Sequence, residues 1–319
     1  MSDSQFLKLS RRHFVTGAVV GAVSLAIGTV LPLRRARASA QTIYKAGDLE
    51  ALVVSDGSFT LPTGFLIDPD APPADREALL QGPGQGREQL LLTNNVTVIR
   101  RQRDLILVDA GTGPRHQPTA GKLAENLIAA GIQPADITTV VLTHGHPDHL
   151  WGVLDAGDNP IYPNASYVMS GRELDLWADT NVLETLPSAL PKERIVNGAR
   201  NHLARIKDRV RTVRGGDEIV SGLRVIETPG HTPGHISVEL AGGDGLVVAG
   251  DAITHAVISF QHPSWRVPVD HEADRGITTR LRLLDQLAAD KRRLVAAHLP
   301  FPGTGFVERK NGVYHFVPA

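Results

Sequence analysis

The stretch Thr143-His144-Gly145-His146-Pro147-Asp148-His149, THGHPDH, sets three imidazoles and a carboxylate within six positions. Such groups are poor helix formers and costly to bury without partners. Histidine supplies 13 of 319 residues, so three within six positions are concentrated far above background. The run just upstream, ITTVVLT (137–143), is apolar and β-branched and predicts a buried strand. His144 and His146, two apart at its end, then point the same way in extended backbone. Pro147 breaks regular structure and turns the chain, so Asp148 and His149 aim at a second point. Neutral imidazole is the commonest metal ligand at pH 7. One segment therefore offers two ligands to each of two cations.

Two cations need further donors, and other strand ends supply them. His231 closes LRVIETPGH (223–231), where the Pro229-Gly230 turn lifts it off the strand. Asp251 closes LVVAGD (246–251), and a carboxylate can bridge two cations. His298 closes LVAAH (294–298). Sites gather at strand ends in layered α/β architectures. The chain has no cysteine, which excludes disulfides and thiolate metal sites. A set of nitrogen and oxygen donors suits zinc, with manganese, cobalt or iron as alternatives.

Working outward, Ala51–Gly57 reads as a short β run ending in a turn. DPDAPPADREALLQGPGQG (68–86) reads as a loop with at most a short helix, a candidate rim or contact between copies. VTVIRRQRDLILVDAG (96–111) predicts a hairpin, and GKLAENLIAAG (121–131) a helix with a glycine stop. The region from Ala178 to Arg214 is polar and helical, an insertion over one face. An amphipathic helix is expected over Arg275 to Asp290, and a closing hairpin around Asn311-Gly312. Strands and helices mixed in two similar halves predict an α/β fold of packed sheets covered by helices.

The first forty residues have a different character. A twin-arginine pair in SRRHFV (10–15) precedes an uncharged run from Val15 to Leu33, and RRARASA ends in a small-x-small site at Ala38 and Ala40. This order resembles a twin-arginine export signal. An uncleaved anchor is the alternative, since nineteen uncharged residues span a bilayer. Residues 41–319 form a single expected domain of periplasmic or secreted location, free of the membrane once the signal is removed. Its 27 basic and 33 acidic residues leave a net charge of -6, which disfavours nucleic acid as partner.

HxHxDH at 144–149, the later histidine in TPGHTPGH (228–235), the aspartate in GD and the final histidine together resemble the metallo-β-lactamase superfamily. DAG (109–111) is similar to its earlier Asp-x-Gly element, and AAHLPFPGTGFVERKNGVYHFVP (296–318) to its methyl parathion hydrolase and lactonase branch. The resemblance implies an αββα sandwich of two mixed sheets with a dinuclear site. One metal takes His144, His146 and His231, the other Asp148, His149 and His298, and Asp251 bridges. It also implies a zinc hydrolase of lactones or related esters, acting through a bridging hydroxide, with Asp251 and Asp148 at the chemistry and organophosphate triesters as further substrates. That branch lines its pocket entrance with aromatics, whereas GPRHQPTAG (113–121) and VNGARNHLA (196–204) carry no Phe or Trp. Trp177 is the aromatic that remains, as substrate wall or core.

Asp109 and His235 read as residues behind the ligands, Asp109 holding an imidazole in its tautomer and His235 as a hydrogen-bonded structural group. His255 faces the pocket or lies on a helix face. His262 and Trp265 suit a pocket loop or a dimer contact. His116, His202, His271 and His315 read as surface. The partner expected is a small-molecule ester or lactone, and the superfamily's frequent dimers make a homodimer a further expectation. Two other functions fit the same ligands: a β-lactam hydrolase, and a periplasmic metal-binding protein without turnover.

Overall fold

A computed structural model describes residues 39–46, 48–81, 86–243 and 245–319. The export signal expected before residue 41 lies outside the described residues, except for Ser39 and Ala40 at its end.

The first sheet follows chain order through β1 (Ala40–Ala46), β2 (Leu49–Pro62), β3 (Gln89–Arg101), β4 (Asp104–Val108), β5 (Thr139–Val141), β6 (Ser166–Ser170) and β7 (Val210–Val213). The second does the same through β8 (Glu218–Val220), β9 (Leu223–Glu227), β10 (Ile236–Leu240), β11 (Leu246–Val248), β12 (Arg293–Val295), β13 (Thr304–Lys310) and β14 (Val313–Pro318). In the first sheet β1 to β4 pair antiparallel and β4 to β7 parallel. In the second, β11 and β12 are parallel and all other neighbours antiparallel.

Parallel neighbours need long crossovers, and these carry most of the helices. A short α1 (Pro73–Leu80) joins β2 to β3. The crossovers of the first sheet hold α2 (Leu123–Ala129), α3 (Pro147–Leu150), α4 (Gly171–Ala178), α5 (Val182–Thr185) and α6 (Lys192–Ile206). That of the second holds α7 (Ile258–Gln261) and α8 (Ala273–Asp290).

Side chains alternate along each strand, so one strand serves two cores. Ile106 and Val108 of β4 pack between the sheets, with Val53 and Val141 on their side and Val225, Ile236 and Val238 opposite. Leu107 between them faces outward, onto a layer that includes Leu127, Trp177 and Ile195. On the far face, Val247 and Leu294 meet Leu283, Leu284 and Leu287 of α8. The result is the expected αββα sandwich, and strands covered on both sides explain the near-continuous apolar runs.

Two local expectations change. The run from Ala51 does not turn at Gly57 but continues as β2 to Pro62. The pairing with β3 shifts between Ser55 and Gly57, a β-bulge, and Gly57 has φ +100°. A Cβ there would lie 2.2 Å from the Thr119 carbonyl oxygen, so the glycine serves a bulge and a close approach rather than a turn. The polar insertion from Ala178 ends as strand β7 instead of staying helical to Arg214. No helix among the described residues is long and apolar enough to cross a membrane.

Ile106 is fully buried in the inter-sheet core. Ile106→Ala is expected to lower the unfolding free energy by about 2–5 kcal/mol, read as a shifted denaturant midpoint at unchanged slope.

Candidate metal centre

The motif loop leaves β5 and is anchored at once. Asp109 accepts hydrogen bonds from the Thr143 backbone N–H at 2.8 Å and from its hydroxyl at 2.9 Å. Pro147 then occupies the first position of the one-turn helix α3, where its missing N–H costs nothing. The turn after His146 is therefore a helix start, and it brings Asp148 and His149 to a second donor group beside that of His144 and His146, the His144 and His149 rings 4.1 Å apart.

Two donor groups result. His144, His146 and His231 form one, and Asp148, His149, Asp251 and His298 the other, with the ligand atoms of each group within 4.8 Å of one another. Asp251 faces both. Its Oδ2 lies 3.3 Å from His231 Nε2, and its Oδ1 lies 3.2 Å from His149 Nε2 and 3.3 Å from His298 Nε2. Asp148 Oδ2 lies 3.2 Å from His298 Nε2 and 3.4 Å from His149 Nε2.

These spacings test whether cations fit. Charge-assisted N–H···O bonds run to about 2.7–2.9 Å, shorter than these. Donors bound at about 2.0–2.1 Å around a tetrahedral cation sit roughly 3.3 Å apart, which matches these distances, while His146 Nδ1 and His231 Nε2 stand closer, at 2.9 Å. Among the described residues His144 Nε2, His149 Nε2 and Asp251 Oδ1 are buried with no hydrogen-bond partner. Orphaned buried donors are costly, and a coordinated cation satisfies them. The residues present fit two cations.

The electrostatics agree. Burial, followed by the neighbouring imidazoles, holds His144 and His146 well below the usual histidine range, so both are neutral donors. Burial alone would raise Asp148 and Asp251, but His149 and His298 outweigh it and both carboxyls stay ionised. Burial opposes protonation of His298, yet Asp251 and Asp148 push it up to about 10. The second group thus demands positive charge.

A supporting layer orients the donors. Asp109 Oδ2 lies 2.8 Å from His149 Nδ1, and Asp270 Oδ1 lies 2.9 Å from His231 Nδ1. Arg280 in turn pairs with Asp270 at 3.1 Å, both buried. His298 Nδ1 meets the Thr93 carbonyl at 2.9 Å. His235 Nε2 accepts the Asp251 backbone N–H at 3.0 Å, which places its proton on Nδ1, toward Thr228. Burial keeps His235 neutral, pushing it down to about 3.

Glu173 has the widest reach. Its carboxylate accepts from the Gly145 N–H at 2.9 Å, from Trp177 Nε1 at 2.8 Å and from the Thr232 hydroxyl at 2.6 Å. One buried group on α4 thus ties the motif loop to the turn that carries His231. A Cβ on Gly145 would lie 2.2 Å from Trp177 Nε1, so the loop's glycine is required by this packing.

A cavity of about 210 Å³ opens above the donors, with His146, Asp148, His231, Asp251 and His298 in its lining. Phe59, Leu61, Phe65, Leu92, Leu190 and Ile195 make much of the wall. His116, Gln117 and Arg194 add polar groups. Gln117's amide is engaged with the Thr60 backbone, whereas His116 Nδ1 has no partner among the described residues.

The seven expected ligands come together, and Asp109 and His235 lie directly behind them. Trp177 and His255 do not line the cavity. Trp177 is core beneath the motif loop, and His255 Nδ1 accepts the Val257 and Ile258 N–H groups at the start of α7. His262 stacks on Trp265, whose indole packs with Leu79 and Val267 beside the cavity. Three of the four histidines expected at the surface are elsewhere. His116 lies in the cavity wall, His202 is buried and stacks on Trp151 at 5.6 Å, and His271 stands 3.3 Å from His146. Phe59, Phe65, His116 and Arg194 carried no local signal, because tertiary packing alone brings their segments over the site.

A family model described as the metallo-beta-lactamase superfamily matches residues 91–298. A Xenopus laevis protein, metallo-beta-lactamase domain-containing protein 1, is 26% identical over 221 residues, 66% of this chain and 76% of that protein. This chain's matches to the other curated relatives span between 39% and 58% of their length. Two solved structures share the fold closely. One is AidC, a dizinc quorum-quenching lactonase solved with a homoserine product: 28% identity, TM-score 0.81, covering 89% of this chain and 99% of that one. The other is AbOPH, a hydrolase in the beta lactamase superfamily: 28% identity, TM-score 0.80, with the same coverage.

Glu173→Ala orphans three buried donors, two of them in ligand-bearing segments and the third, the Trp177 indole, on α4 itself. The metal-free protein is expected to lose about 3 kcal/mol or more of unfolding free energy, measured by denaturant titration with chelator present.

Proposed function

The chain belongs to the metallo-beta-lactamase superfamily, and on that premise we propose that it is a dinuclear zinc hydrolase of lactones or related esters with an apolar acyl arm. The observation that carries this reading is the pair of donor groups sharing Asp251 at the floor of an apolar cavity. His144, His146 and His231 would hold one ion, and Asp148, His149 and His298 the other. Two divalent ions supply Lewis-acid polarisation of a carbonyl or phosphoryl oxygen and a water of lowered pKa.

The chain's own residues do the rest. Asp251 is ionised, and His235 pins its backbone, so its carboxylate is fixed to orient the attacking water and accept its proton. Phe59, Phe65, Leu92 and Ile195 bind the apolar arm and exclude bulk water from the carbonyl. His116 and Arg194 offer hydrogen bonds to a polar group along that arm, such as an amide carbonyl. The AidC structure, a lactonase bound to a homoserine product, supports this substrate class. The two phenylalanines from β2 and the following turn restore aromatic surface that segments 113–121 and 196–204 lack, and this keeps aryl esters and aryl phosphotriesters in the proposed range. The N-terminal signal pattern supports export of the folded enzyme, which N-terminal sequencing of secreted protein checks.

The test is metal content together with a turnover panel of γ-lactones, acyl-homoserine lactones, aryl esters and dimethyl aryl phosphotriesters. The expected result is two ions per chain and lactone turnover that falls more than about 10²-fold in His146→Ala. Full loading with no turnover of any panel compound would mark a metal-binding protein instead. Each methylene added to the acyl chain is expected to raise kcat/KM by up to about fourfold until the cavity is filled. Phe65→Ala, by enlarging the wall, is expected to move that limit to longer chains, seen in the chain-length profile.

A further inference from the structure

Four of the five ligand histidines follow one rule. Each turns Nε2 inward and rests Nδ1 on an oxygen: the Thr143 hydroxyl for His144, Asp109 for His149, Asp270 for His231 and the Thr93 carbonyl for His298. His146 is reversed. Its Nδ1 lies 2.9 Å from His231 Nε2, on the donor side, and its Nε2 points away from the group. The partner at that outer nitrogen is another imidazole, His271, whose Nε2 stands 3.3 Å away.

Chemistry then fixes both tautomers. For His146 Nδ1 to present a lone pair, its proton must sit on Nε2. His271 Nε2 must accept that proton's hydrogen bond, so His271 carries its own proton on Nδ1. With the other tautomer of His271, two N–H groups would face each other and the lone pair of His146 would be turned out of the centre. His271 is also held rigidly. Its backbone N–H donates to the His231 carbonyl at 3.0 Å, and the Glu272 N–H to the Gly230 carbonyl at 2.9 Å. The dipeptide Asp270-His271 thus reaches two of the three histidines of one donor group and none of the other.

We propose that His271 is a positioning residue for the metal held by His144, His146 and His231, setting the tautomer that makes His146 Nδ1 the donor. This rests on the dinuclear reading above. It concerns a histidine that binds no metal itself and that the superfamily's ligand pattern does not include.

The test is titration of the metal-free protein with cobalt(II) against a chromophoric chelator, in wild type, His271→Ala, His271→Phe and His271→Gln. In the alanine and phenylalanine variants one of the two equivalents is expected to weaken 10- to 100-fold, while the other keeps its affinity. The visible cobalt band of the weakened site should shift with it. Glutamine can accept from His146 Nε2 through its side-chain oxygen and is expected to restore affinity to within a few-fold. Should alanine fail to fold, phenylalanine, which keeps the bulk without the acceptor, answers the same question. Wild-type affinities for both equivalents in His271→Phe, or equal weakening of both, would overturn the assignment. A wild type that binds fewer than two equivalents overturns the dinuclear reading, and the assignment with it.

Discussion

The constraint on which the rest of this structure depends is desolvation. Five imidazoles and two carboxylates, all but Asp148 buried, meet at the cavity floor, and among the described residues His144 Nε2, His149 Nε2 and Asp251 Oδ1 have no hydrogen-bond partner. A chain gains nothing from such a cluster as packing, because each unpaired polar atom opposes folding. The cluster becomes consistent once cations complete it. Neutral His144 and His146 and ionised Asp148 and Asp251 are the protonation states that cation binding requires, and the protons that Asp251 and Asp148 favour on His149 and His298 are the ones a bound cation displaces.

Around that cluster the fold supplies rigid support rather than additional ligands. Asp109, Glu173 and Asp270 are buried acids on three separate segments, and each fastens a ligand or a ligand-bearing loop. Their burial would be unfavourable if they were unpaired, and each accepts from at least two donors. Holding donors within fractions of an ångström needs packed, fully bonded neighbours of this kind. The apolar cavity wall meets a looser demand and is built from segments with no part in the ligand set.

That division explains what was legible in the sequence. The ligands cluster locally in THGHPDH or sit where apolar runs stop, and both signals survive without knowledge of the fold. The layered sandwich was legible for a related reason: strands covered on both faces read as apolar runs, and the helices between them have their own period. Phe59 and Phe65 were not legible, because a bulge extends β2 through a glycine that looks like a turn. His271 was not legible either. Next to an acid and before a charged helix it has the setting of a surface residue, and only the pairing of residues 271 and 272 with 230 and 231 brings it inward. For Trp177 the sequence left two readings, wall or core, and the structure places it in the core, a prop beneath the motif loop.

The order of the strands has a consequence for how the molecule matures. Residues 40–213 build the first sheet and residues 218–318 the second. Each donor group nevertheless draws on both: His144 and His146 with His231, and Asp148 and His149 with Asp251 and His298. A state with one sheet formed has an incomplete set for either ion, so neither partial structure is a good competitor for metal. Ions bound at these two groups would select the assembled sandwich over every half-built form. At free ion about 100-fold above its dissociation constant, each site adds about 2.7 kcal/mol to that preference. The metals would then report that both halves have docked, as well as equip the site they complete.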